Sequence, residues 1–80
     1  MKLFGYAISN TPTEDVTPSS LAEVSVVASA TELRAMSQFF DECAKEMDRM
    51  GDAFDHVHLG DRFKTFRDSP HFVVARDREA

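Results

Sequence analysis

The sequence predicts a small α+β domain in which one long amphipathic helix packs on one face of a mainly antiparallel sheet of three to four strands, in the order ββα then β. Three observations carry this. Residues 29–51 repeat their apolar side chains at alternating steps of three and four, the period of a helix with one buried stripe. Residues 2–9 and 21–28 alternate at period two, the signature of strands. Residues 71–76, HFVVAR, form a third β-branched and aromatic run behind a turn signal.

In the first strand Phe4, Tyr6 and Ile8 share a face, with Leu3, Gly5 and Ala7 opposite. Gly5 marks a bulge or a close approach by a neighbouring element. Residues 10–20 hold Pro12 and Pro18 around Glu14 and Asp15, a polar connection longer than a tight turn. The second strand places Ala22, Val24, Val26 and Ala28 on the face expected to meet the helix, and Leu21, Glu23, Ser25 and Val27 on the other. Two consecutive strands are most simply an antiparallel hairpin.

The helix follows almost at once. Ser29 is placed to cap its first amides, and Glu32 three residues on completes a capping box. Leu33, Met36, Phe40, Cys43, Met47 and Met50 form the predicted inward stripe, widened by Phe39. Gly51 occupies the position where positive φ ends a helix. On the outer face, Asp41 with Lys45 and Glu46 with Arg49 have the spacing of surface ion pairs. Beyond the helix, Phe54, Val57 and Leu59 punctuate a polar segment. Phe63 and Phe66, three apart, suggest a short helical turn, and Asp68-Ser69-Pro70 a chain reversal. The last strand lacks interrupting polar residues, as a central strand covered on both faces would; residues 76–80 are a charged end.

Eighty residues suffice for a single domain, 1–80, with a thin stability margin. Small domains without disulfides commonly gain stability by self-association, so a homodimer is expected. The one cysteine, Cys43, falls in the apolar stripe, where a thiol behaves as a small hydrophobe, and an unpaired thiol suits a reducing compartment. The short apolar start is too brief for a secretory signal and no run approaches the ~20 residues of a membrane span, so a cytoplasmic protein without membrane contact is expected. Net charge is −5 and uneven: residues 1–61 hold eleven acids and four bases, residues 62–80 three acids and five bases. That balance argues against nucleic acid, which requires a basic footprint, and favours a basic protein partner.

One cluster has possible chemistry. In an extended segment His56 and His58 project to the same side, and Asp55, Asp61 and His71 offer further donors. A catalytic zinc needs three protein ligands, and no third ligand stands at a diagnostic spacing. His56, His58 and His71 are therefore weak metal candidates, set against two other roles: bonding to local backbone or the helix end, and contacting a partner. No phosphate loop, nucleophile elbow or metalloprotease helix is present, and carboxylates such as Asp41 and Glu42 lie on the outward helix face. The reading is a non-enzymatic protein without cofactor. The partner-contact candidates are His56, His58 and Asp61 with Asp41, Glu42 and Asp48 of the acidic helix face.

Several short runs resemble one family. Thr31-Glu32-Leu33-Arg34-Ala35-Met36 opens the helix and residues 44–50 close it. Phe54-Asp55-His56-Val57-His58-Leu59 follows, then Ser69-Pro70-His71-Phe72-Val73-Val74. Together they resemble the immunity protein 32 family, small bacterial proteins associated with polymorphic toxin systems. The resemblance covers the chain from about residue 21, with His56, His58 and Leu59-Gly60-Asp61 nearest the family's histidine-containing stretch. It implies a protein that binds and neutralises a cognate toxin without catalysis. A metal-binding protein or metal-dependent enzyme, and a self-associating structural or regulatory domain, are the competing expectations.

Overall fold

The computed structural model describes residues 1–7 and 20–78, with the side chain of Ala7 excepted. The chain is α+β, and its elements come in the expected order. Strands β1 (Lys2–Ala7) and β2 (Leu21–Val27) form an antiparallel hairpin, with Leu3 opposite Val26 and Gly5 opposite Val24. Helix α1 (Ala30–Met50) follows, ending in a 3₁₀ turn, Gly51–Ala53. Strand β3 (His56–His58) leads into one turn of helix, α2 (Leu59–Arg62), then a 3₁₀ turn, Lys64–Phe66. Strand β4 (Val73–Ala75) returns antiparallel to β3, with Val57 opposite Val74. The four strands are divided between two separate ribbons, β1–β2 and β3–β4, instead of joining one sheet. Residues 8–19, including Ile8 and most of the predicted loop, lie outside the described residues.

The helix begins as its sequence dictates. Ser29 Oγ accepts from the Glu32 amide at 3.1 Å, and Glu32 Oε1 accepts from the Ser29 amide at 2.9 Å. Both halves of the capping box are made. At the other end Gly51 takes φ 58° with ψ −131°, and its amide bonds the Met47 carbonyl. That positive φ favours glycine, although the ψ takes the chain out of the left-handed helical basin and into the 3₁₀ turn.

The core is where the periodicity needs correction. Met36, Phe39 and Cys43 of α1 are buried with Phe54, Leu59 and Phe66, all from the chain after the helix. Phe39, expected only to widen the stripe, is its centre and is fully buried. Leu33, Phe40 and Met50, expected to point inward, are 51%, 45% and 38% exposed. The helix is rotated toward the C-terminal segment because that segment supplies three large buried side chains. The hairpin supplies none, so nothing there competes for the stripe. The expected cover of α1 by Ala22, Val24, Val26 and Ala28 is therefore only partial: Ala22 and Val24 are exposed, Ala28 is half-buried, and Val26 lines a groove with Leu33, Met36 and Phe40.

Strand β4 also differs from expectation. Phe72 and Val74 are partly buried against the core, but Val73 and Ala75 are exposed, so it is a one-sided strand in a two-stranded ribbon and not a central one. The ribbon's ladder is extended at both ends, by the Leu59 amide to the Phe72 carbonyl at 2.8 Å and the Arg76 amide to the Asp55 carbonyl at 3.0 Å. Gly5 marks a close approach: a Cβ there would lie 3.0 Å from Leu21 Cδ1, and the register shift falls one step further on, between Tyr6 and Ala7.

Candidate functional site

The histidine segment lies where the sequence placed it, and the tertiary fold adds to it. Alternation along β3 sends His56 and His58 to one side, with ring centroids 5.3 Å apart and nearly edge-on. Val57 between them turns to the core. Pairing of β3 with β4 brings His71 across, its ring 5.9 Å from that of His58 at 82°. Three imidazoles thus stack edge-to-face along one strip of surface.

Carboxylates stand beside two of the three rings, His56 and His58. Asp55 Oδ2 lies 2.6 Å from His56 Nδ1, and Arg78 reaches the other Asp55 oxygen at 3.4 Å. The hydrogen bond from His56, and then that from Arg78, hold the Asp55 carboxyl below its ordinary value. Asp61 Oδ2 stands 4.0 Å from His58 Nδ1. Among the described residues, His56 and His58 thus each stand beside a carboxylate, and His71 meets the His58 ring. Among the described residues no group of three or more His, Cys, Asp or Glu side chains is disposed to hold a metal ion.

His58, Asp61 and His71 line a cleft of about 400 Å³ with Gly60, Arg67 and Ser69, over a floor of Phe66. Its walls are close-set: a Cβ on Gly60 would touch the Phe66 carbonyl at 3.4 Å. Ser69 Oγ accepts from the Met1 amine at 3.3 Å, leaving the hydroxyl proton available. Arg67 makes no ion pair among the described residues. Two imidazoles, a guanidinium and a hydroxyl around one cleft can bind a polar group on a partner through several hydrogen bonds. Arg67 and Ser69 were not singled out from sequence, because only the turn after the second 3₁₀ segment brings them beside α2.

The acidic helix residues do not gather at this cleft as one site. Asp41 pairs with Lys45 at 2.9 Å, as its spacing predicts, and the pairing raises the lysine above its ordinary value. Glu46 does not pair with Arg49. Both its oxygens accept from Arg62 Nη2, at 2.9 and 3.0 Å, and Glu42 stands 3.8 Å from the same guanidinium. Arg76 lies 3.7 Å from Asp52. The basic C-terminal segment, residues 62–80, therefore folds back onto the acids that precede it, and much of the charge asymmetry is met inside the chain. Of the acidic partner candidates, Asp48 is exposed without an ion pair among the described residues, while Asp41 and Glu42 are already engaged.

Cys43 is buried, and burial followed by the nearby Glu46 charge pushes its thiol up, away from the reactive thiolate. A structural role is what its place in the stripe predicts.

The other distinctive surface is the hairpin. Phe4, Tyr6 and Val27 on one face are 57%, 65% and 53% exposed; Leu21, Val24 and Val26 on the other are 51%, 58% and 38% exposed. A signal for this was available in the sequence, since both strands carry apolar residues on both faces and one helix can cover only one.

Compared with protein-family models, curated proteins and solved structures, the chain matches none of them. Among the described residues no helix is long and apolar enough to cross a membrane.

Proposed function

We propose that this chain is a non-catalytic protein-interaction module of the immunity-protein kind, a cytoplasmic homodimer that binds a basic cognate toxin and blocks it. The observation that carries the reading is the hairpin. Six large apolar side chains stand exposed on its two faces, and an isolated two-stranded ribbon is marginal in water without something packed against it. A surface of that kind fits a protein partner. The histidine strip supports the toxin-binding part: His58 and Asp61 stand at a cleft, with the His56 ring 5.3 Å from that of His58 outside it, and Asp48 adds exposed negative charge on α1.

Co-expression with the toxin encoded beside this chain tests the reading. Protection of the host and recovery of a stoichiometric complex are expected. A triple exchange of His56, His58 and Asp61 to alanine should weaken that complex at least tenfold. Normal toxicity in the presence of folded protein, with no complex recovered, would remove the immunity reading.

A further inference from the structure

Which surface makes the dimer follows from the side chains the hairpin shares with α1. Opposed residues of an antiparallel pair lie on one face, so Leu3, Gly5, Val24 and Val26 are together, and Leu21 folds over Gly5 on that same side. This face does not stop at the hairpin. Val26 continues into a groove of about 300 Å³ with Leu33, Met36, Phe40 and Phe72, in which Ser37 is the one polar side chain. Among the described residues no charged side chain lines that groove.

We propose that this continuous face, from Leu21 and Val24 across Val26 to Leu33 and Phe40, is covered by the same face of a second copy of the chain. The proposal rests on the homodimer reading above and gives it a surface. Charge selects the occupant. Each copy carries −5, so two copies repel wherever acidic surfaces meet, and an uncharged face is where they can approach without that penalty. The opposite hairpin face carries Lys2, across from Val27, and Glu23, across from Tyr6, which makes it the less suitable self-contact. Area agrees. With about 150–200 Å² for a fully exposed side chain of this size, Leu21, Val24, Val26, Leu33 and Phe40 together expose roughly 400 Å² per protomer. A standard interface buries ~800 Å² per partner, of which about 57–65% is apolar, or roughly 450–520 Å². A two-fold arrangement uses the face twice and leaves the histidine strip outside.

The full chain examined by size exclusion with light scattering should show twice its 9.0 kDa mass at micromolar concentration. Val24→Glu and Leu33→Glu should each move it to the monomer mass, because two-fold symmetry places two buried charges for every substitution. Tyr6→Glu on the opposite face should keep the dimer. Far-ultraviolet circular dichroism reports whether each variant is folded. A measurement free of variants is isotope-filtered NMR on mixed labelled and unlabelled wild-type protein. Contacts between copies are expected from Val24, Leu33 and Phe40. A monomer throughout, dimer mass unchanged in both glutamate variants, or intermolecular contacts from Phe4 and Tyr6 instead would each overturn the proposal. The readout involves no toxin, so a dimer without toxin binding would sink only the immunity reading, and toxin binding by a monomer only this one.

Discussion

Phe39 and Phe40 are adjacent, chemically identical and both within the apolar stretch of the helix, and substituting each to alanine separates what the fold does with them. Phe39 is fully buried, with its ring near-perpendicular to Phe63 at 6.4 Å. Removing a buried phenylalanine costs ~3–5 kcal/mol. An 80-residue domain holds about 4–12 kcal/mol in all at 0.05–0.15 kcal/mol per residue. Phe39→Ala should therefore lower a urea midpoint by ~3 M, taking a denaturant slope of ~1 kcal/mol/M, or leave the chain unfolded at rest. Phe40 is 45% exposed and touches Phe72 at 5.7 Å, so its removal should cost only about 1–2 kcal/mol in the monomer. The comparison is made by urea titration followed by circular dichroism, at the lowest usable concentration and with the mass checked, because Phe40 also lies in the proposed dimer face. Equal losses, or a larger loss from Phe40→Ala, would refute the rotation of α1 toward the C-terminal segment.

Other perturbations read different parts of the molecule. Glu32 is held below its ordinary value of 4.5 by hydrogen bonds from the Met1 amine and then the Ser29 amide, and Asp55 below 3.8 by His56 and then Arg78. With depressed folded values the unfolded chain binds more protons, so this stability is present above the ordinary values and fades as pH falls through the folded ones. Urea midpoints at pH 7, 5, 4 and 3 should fall below about 4.5, and Glu32→Gln should flatten the fall; parallel curves for variant and wild type would contradict it. Cys43 in the native protein should react with an aromatic disulfide reagent roughly 10³-fold more slowly than in urea, given ~4 kcal/mol of stability, and prompt stoichiometric labelling would show the thiol is open. Gly51→Ala meets no neighbour within 4 Å, so its cost is purely conformational at φ 58° and ψ −131°, about 1–3 kcal/mol by thermal melt. A neutral result would mean the helix end is elsewhere. Ser29→Ala should cost ~1 kcal/mol by loss of the cap, read from the same melts, and no change would remove the capping box from the account.

What the sequence determined is local. Capping residues, a glycine after the last turn and a 3.6-residue period suffice to start, stop and wind α1, because each acts within a few residues. Alternation likewise defined β1, β2 from Glu23 onward and the common side of His56 and His58; Leu21, expected on the side of Glu23, joins Val24 instead because the register shifts between Tyr6 and Ala7. The expected i,i+4 contact of Asp41 and Lys45 is made for the same reason. Everything that depended on what lies opposite was left to tertiary structure. Period alone permits several rotations of a helix with Phe39 and Phe40 side by side, and the choice fell to Phe54, Leu59 and Phe66, which pack on one flank. Strand patterns do not say which strands pair, and here they close into two ribbons. Glu46 had Arg49 within helical reach, yet both its oxygens went to Arg62, which the turn after β3 delivers across the helix. The cleft needed that same turn to set Arg67 and Ser69 beside His58 and His71. The apolar stripe was legible from the sequence; that Leu33 and Phe40 would be left uncovered beside the hairpin was not, because exposure is a property of the packed chain.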